Sequence, residues 1–251
     1  MTVELKSEQY VDGLEFVKDR VEDIFLKYDL TVEDSQNIKA YKSKRGIMVV
    51  WRDDTAILKA ENREDAKELL KFVPKDSRWT FLTDHSISPL VKEFLERRKD
   101  CRREDIYSVN YVTKESFKPL KDKQYEVISL SEDYAPQIAE IWPFARGNVD
   151  LVKSFIGKWP AYAILEEGVP SAWASVLLEA DKNRLTGMWY TVPSYRGKGR
   201  MSHIISKMTE DTLGEGDFLR ADIRVDNQPS LNVARSLGFL KKNTYSRLEP
   251  I

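Results

Sequence analysis

Cysteine and histidine are almost missing from these 251 residues, which hold one cysteine, Cys101, and two histidines, His85 and His203. A lone thiol forms no internal disulfide, and so few ligands with no CxxC pair leave nothing to build a structural zinc site. Long apolar runs are missing as well: no stretch approaches the roughly 18 to 20 residues that span a bilayer. Met1 to Gln9 is polar and lacks the apolar region of a secretory signal. A cytoplasmic, reducing setting with no membrane partner is the expectation. Surplus charge is also lacking, since 40 basic residues nearly cancel 41 acidic ones and leave a net charge of -1. No whole-protein field then draws nucleic acid. The basic clusters at Lys42, Lys44 and Arg45 and at 97 to 103 lack interleaved aromatics and read as solvated surface. Cys101 sits inside the second cluster, whose cations would activate an exposed thiol, but an incidental thiol at a charged helix end is the plainer reading.

What is present is enough apolar content, 41%, for one large core or two modest ones. Tyr10, Leu14, Val17, Val21, Ile24 and Tyr28 recur at helical spacing and predict a first amphipathic helix. Gly46 to Trp51 and Thr55 to Leu58, around the turn-like Arg52-Asp53-Asp54, predict a hairpin. Asn62 before Glu64 and Asp65 predicts a helix start, and Pro74 its end. A strand at 79 to 82, a helix opened by Ser88-Pro89 and a strand at 106 to 112 come next. The lysine-rich stretch between Thr113 and Lys123 marks a boundary, giving an N-terminal αβ domain over 1–120 and a second domain over 121–251. In the latter, strands are expected at 125–130, 162–165, 172–178, 185–192 and 221–225. Helices are expected after Ser131, from Gly199 to Thr212 and from Gln228 to Leu237, with Gly238 supplying the left-handed residue past the last. The fold class is α/β in the α+β sense, built on a mixed sheet.

The strongest local signal is Val192-Pro-Ser-Tyr-Arg196-Gly197-Lys198-Gly199-Arg200-Met201-Ser202, lying between a strand and the helix it starts. Glycines let a backbone turn tightly around a ligand, and free amides at a helix N-terminus bind phosphate oxygens. Arg196, Lys198 and Arg200 would add charge to that cradle. It is not a Walker loop, because no Lys and Ser or Thr follow the second glycine, nor a dinucleotide fingerprint, because residue 202 is Ser.

About thirty residues on stands Asp226-Asn227-Gln-Pro-Ser230, leading into Leu237-Gly238-Phe239. Together with Arg196-x-x-Gly199-x-Met201, this pair of segments resembles the GNAT superfamily of acyl-CoA N-acyltransferases. The stretch from Tyr190 to Arg196 is similar to the glycine N-acyltransferase-like branch. The resemblance covers roughly 125 to 248. It implies a sheet whose fourth and fifth strands splay apart, with the pantetheine arm of acetyl-CoA against the backbone of Trp189, Tyr190 and Thr191. It places the pyrophosphate on Arg196, Gly197, Lys198, Gly199, Arg200, Met201 and Ser202, with Asn227 touching the arm. The acceptor, a small-molecule primary amine, would attack the thioester directly, with a strand-four amide stabilising the oxyanion and no covalent enzyme intermediate.

Several positions depart from the family pattern. Met201 stands where the family has glycine or alanine, and Ala234 stands where it has its tyrosine acid. Tyr190, Ser230 and Tyr245 are the substitute proton donors. The strand from 185 to 192 has no Asp, Glu or His. Asp222 becomes the first substitute base, with Asp226 behind it, although pairing with Arg220 and Arg224 is an equal reading of both acids. His203 is expected to have a surface or packing role, and Trp173 and Trp189 read as core more than as pocket wall. The order of elements in 8–113 is compatible with a degenerate GNAT-like copy that lacks a phosphate loop. The competing reading is a CoA-binding sensory or regulatory module with little or no turnover.

Overall fold

The computed structural model describes residues 3–5, 38–51, 55–74, 79–100, 102–122 and 124–251. The helix predicted over Tyr10 to Tyr28, the Arg52–Asp54 turn and Cys101 lie outside the described residues. The chain divides into two compact units, one of residues 1–109 with 242–251 and one of residues 110–241. Composition put the boundary near residue 120. The lysine-rich stretch that suggested it is instead a connection packed within the second unit, where Lys118 N donates to Leu237 O at 3.0 Å and Leu120 N to Ser206 Oγ at 3.3 Å.

In the first unit the strands β1 (Val3–Leu5), β2 (Ile38–Ser43), β3 (Gly46–Trp51) and β4 (Thr55–Ala60) run antiparallel. β4 pairs in parallel with β5 (Thr80–Asp84) across the crossover helix α1 (Arg63–Leu70). The predicted hairpin is β3–β4. Its neighbour β2 was not foreseen, because Lys39 and Lys42 interrupt the apolar signal of an otherwise half-buried strand. Asn62 caps α1 as expected, its Oδ1 accepting from Asp65 N at 2.9 Å, and Ala66, Leu69 and Leu70 face the core. The helix α2 (Ser88–Glu96) starts one residue earlier than expected: Ile87 is its N-cap, and the Ser88 hydroxyl donates to Glu104 at 2.8 Å.

Glu104 also accepts from Lys92 Nζ at 2.6 Å. Burial pushes its carboxyl upward, but hydrogen bonds from Lys92, Ser246 and Ser88 outweigh that and hold it at about 2 against an ordinary 4.5. A carboxyl depressed on folding stabilises the protein above its unfolded value and loses that stabilisation as pH falls through the folded value. Glu104→Gln should therefore be less stable than wild type at neutral pH by on the order of 2 kcal/mol. The gap should close as pH falls from 4.5 to 2. Unfolding free energies of both proteins across that range check it, and a gap independent of pH would reject the assignment.

The strand β6 (Arg102–Thr113) begins in the first unit and ends in the second, where the order from it is β6-β11-β10-β9-β8-β7, with β7 Ile128–Ser129, β8 Ala161–Glu166, β9 Val169–Ala180, β10 Asn183–Thr191 and β11 Phe218–Arg224. β7 to β10 form an antiparallel meander, and β11 joins β10 in parallel after the helix α5 (Arg200–Glu215). Strand β7 is shorter than the predicted 125–130, and Tyr125 lies outside it with its hydroxyl donating to Lys198 O at 2.9 Å. Alternation along β9 sends Ala172, Ala174 and Val176 to one face, where Ile204, Ile205 and Met208 of α5 and Leu231 and Ala234 of α6 (Gln228–Ser236) complete a core. Trp173 goes to the other face, against α3 (Ala135–Ile141) and α4 (Val149–Ile156).

Two irregularities mark the C-terminal half of β10. Its pairing with β11 runs only from Arg184–Leu219 to Thr186–Ala221 and stops, although the strands continue to Thr191 and Arg224. A bulge interrupts its pairing with β9 between Gly187 and Tyr190, and within it Met188 has a φ of 54°. A non-glycine residue in that left-handed region is held there by its surroundings; here the Met188 sulfur accepts from Ser175 Oγ at 3.2 Å.

Candidate active site

A cavity of about 740 Å³ opens where β10 and β11 part. Its wall combines Trp189 to Thr191 of β10, the loop and first helical turn from Tyr195 to Ser202, and Asn227, Pro229, Ser230, Asn232 and Val233 at the start of α6. Every residue expected to hold the donor therefore lies on one wall, although the segments are thirty residues apart in sequence.

The loop is built from a short 3-10 turn, Pro193–Tyr195, followed by two left-handed glycines, Gly197 at φ 75° and Gly199 at φ 78°. An L side chain at either position costs about 1–2 kcal/mol, which explains glycine there. Gly199 is also the N-cap of α5 and offers no side-chain acceptor to the first turn. Arg196 N donates to Pro193 O and His203 N to Gly199 O. Between them, among the described residues, the amides of Gly197 through Ser202 make no hydrogen bond to a protein acceptor. A run of unclaimed donors at the positive end of a sixteen-residue helix has the chemistry to accept an anion.

The charged side chains of the loop divide. Arg196 and Lys198 are exposed, and Arg196 lays its guanidinium 5.7 Å from the centre of the Tyr190 ring while Nε donates to Thr191 O at 3.0 Å. Arg200, expected to add charge to the cradle, is buried, pairs with Glu166 at the end of β8, and lies between the rings of Tyr125 and Tyr195 at 4.7 and 4.8 Å. Sequence offered no sign of this, because Tyr125 and Glu166 are distant along the chain and neither belongs to a motif. His203 has its expected packing role: its ring nitrogens lie 3.0 Å from Gly199 O and 3.1 Å from Asp122 O, and its ring stands edge-on to Tyr125.

Candidate proton-transfer groups fall in different places. Tyr190 is on the cavity wall, its ring 4.9 Å from that of Trp173. Ser230 is also on the wall, while Asn227 Oδ1 accepts from Ser230 N at 3.3 Å and so caps α6. Tyr245 belongs to the first unit, stacked on Tyr107, and Ala234 is buried in the core. Asp222 is not on the cavity wall. Both its oxygens accept from the Arg220 guanidinium at 2.7 Å, and the two side chains are 9% and 1% exposed. Strand alternation explains the pairing: Leu219, Ala221 and Ile223 fill the core, so Arg220, Asp222 and Arg224 share the opposite face. Asp226 accepts from Arg224, which holds its carboxyl below the ordinary range. Trp173 is wholly buried, as expected for core, whereas Trp189 is half-buried on the cavity wall with Nε1 donating to Thr186 Oγ1 at 3.0 Å.

Comparison with known proteins bears on this arrangement. Residues 126–239 match the model of the acetyltransferase (GNAT) family. Among curated proteins, the chain is similar to a glycine N-acyltransferase-like protein of Mus musculus, 30% identical over 106 residues; the match covers 39% of this chain and only 34% of that protein's length. A Drosophila protein of known X-ray structure has the same fold at a TM-score of 0.74 and 16% identity, over 100% of this chain and 98% of that one. A tandem GNAT protein from the clavulanic acid biosynthesis pathway aligns at a TM-score of 0.59 and 12% identity, over 100% and 98%. The mixed sheet is thus that of GNAT structures, the tandem kind included. No helix among the described residues is long and apolar enough to cross a membrane.

Proposed function

We propose, from the match of residues 126–239 to the GNAT acetyltransferase family model, that this protein moves an acetyl group from acetyl-CoA to a primary amine of a small molecule. The run of unclaimed amides from Gly197 through Ser202, residues that line the cavity, carries the reading. These amides, with Arg196 and Lys198, would hold the pyrophosphate. The part of β10 beyond its last pair with β11 would offer the backbone of Trp189 to Thr191 to the pantetheine arm, as an edge strand accepts an added strand. When bound, acetyl-CoA supplies an activated thioester whose leaving thiol has a pKa of about 8.5. An amide of the bulge around Met188 would stabilise the oxyanion, and the Tyr190 hydroxyl on the wall would return a proton to the departing sulfur. With Asp222 engaged by Arg220, the acceptor's own proton would leave through water. The first unit is proposed as a degenerate copy of the fold.

A second reading, a CoA-responsive module with little turnover, is favoured by Ala234 at the usual acid position and by a β10 free of acids and histidine. Thermal unfolding tests what the two readings share, and turnover separates them. Acetyl-CoA at 100 times its Kd stabilises a binder by about 2.7 kcal/mol, so both readings expect a raised Tm with acetyl-CoA and with free CoA. Only the first expects steady release of free thiol across a panel of small amines. No shift with either ligand at millimolar concentration would remove both readings.

A further inference from the structure

The carbonyl groups of the anion loop are tied down by side chains on the side where the amides are not. Tyr125 Oη donates to Lys198 O at 2.9 Å, His203 Nδ1 lies 3.0 Å from Gly199 O, and Arg200 Nη1 donates to Tyr195 O at 3.4 Å. In a trans peptide the C=O of one residue and the N–H of the next point in opposite directions. Fixing the carbonyls of Tyr195, Lys198 and Gly199 therefore fixes the amides of Arg196, Gly199 and Arg200.

Arg200 is the centre of this fastening. Its guanidinium is 6% exposed, donates through Nη2 to Glu166, and lies between two tyrosine rings, one from the loop itself and one from residue 125. Its Nε is buried with no hydrogen-bond partner among the described residues, so the group is held by one carboxylate, one loop carbonyl and two ring faces. A cation meant for phosphate would present its donors to the cavity; this one has surrendered them to Glu166 and to a loop carbonyl.

Resting on the proposed acyl-CoA site, we propose that Arg200 is a positioning residue of the pyrophosphate loop, not a phosphate ligand, and that Glu166 and Tyr125 hold it in place. The two roles predict opposite signs for one variant. If Arg200 were a ligand restrained by Glu166, Glu166→Gln would release it and tighten acetyl-CoA binding. As a positioning residue, it would lose its anchor, and binding should weaken about tenfold, since misplacing a binding group by a fraction of an ångström to an ångström costs factors of that order or more.

The test measures acetyl-CoA Kd by calorimetry over a range of salt, together with kcat and KM, for wild type and for the Glu166→Gln, Arg200→Met, Arg200→Lys, Tyr125→Phe and Arg196→Met variants. We expect Glu166→Gln and Arg200→Met to raise Kd and KM about tenfold with kcat within about twofold, and Arg200→Lys to recover part of the loss. The salt dependence of Kd should stay that of wild type in these variants and flatten only in Arg196→Met, because only there is a phosphate contact removed. Tyr125→Phe, which keeps the ring and loses the bond to Lys198 O, should weaken binding more mildly; it carries the test with Glu166→Gln if Arg200→Met does not fold. Tighter or unchanged binding in Glu166→Gln, or a flattened salt dependence in Arg200→Met, overturns the proposal while leaving the acyl-CoA site standing. Wild type that binds no acetyl-CoA overturns both.

Discussion

Gly199→Glu should weaken acetyl-CoA binding by at least about a hundredfold while the protein stays folded, because a carboxylate would enter the ring of amides meant for phosphate. The backbone makes the separation clean. Gly199 has a φ of 78°, and a Cβ there would meet nothing closer than the His203 ring at 3.9 Å. The substitution thus costs only the left-handed conformation, about 1–2 kcal/mol, partly offset by a negative charge at the start of α5. Circular dichroism and Tm should change little, while the Tm increase on adding CoA should vanish. Retained binding would show that the phosphate loop lies elsewhere. A glycine chosen for space would behave differently: a Cβ on Gly238 at φ 86° would come 1.9 Å from Ser116 O, so substitution there threatens the fold.

The second large effect belongs to stability. Asp222→Ala should destabilise the protein by about 3–5 kcal/mol, the range seen when one partner of a buried ion pair is removed, since it takes the bidentate carboxylate from an Arg220 side chain that is 1% exposed. Chemical unfolding measures the loss directly. Asp222→Asn, which keeps the shape, then separates structure from catalysis. If Asp222 only holds Arg220, the variant is less stable but its pH–rate profile keeps the wild-type limbs. Loss of the acid limb of kcat/KM at preserved folding would make Asp222 the base after all.

Local chemistry was the legible part of this chain. The Asn62 cap, the β3–β4 and β8–β9 hairpins, the glycine that ends α6 and the strand–loop–helix order around Arg196 to Ser202 all arise from residues within a few positions of one another. Readings that depended on distant partners were not recoverable. Arg200 looked like one more loop cation because Glu166 and Tyr125, which claim it, leave no trace in its neighbourhood. Asp222 could be read as base or as ion-pair partner, and strand alternation with Arg220 in the same face decides its contacts. α4 went unforeseen, because its eight residues lie just past an irregular, aromatic-rich turn at 142 to 148. The lysines at 113 to 123 signal solvent exposure, which a linker and a surface connection share.

The order of strands in the first unit has a temporal side. Strand β12 (Leu240–Pro250) lies between β5 and β6 in that sheet, with Tyr245 to Leu248 paired against Asp84 to Phe81. During synthesis β6 leaves the ribosome roughly 130 residues, and β5 roughly 160, before the strand that must separate them. Until it arrives, two strand edges wait without their neighbour, and such edges invite pairing with other chains. Closing a loop that long slows folding more than it lowers final stability. The sheet of the first unit is therefore completed late, and a nascent chain halted anywhere before residue 240 would leave the edges of β5 and β6 uncovered.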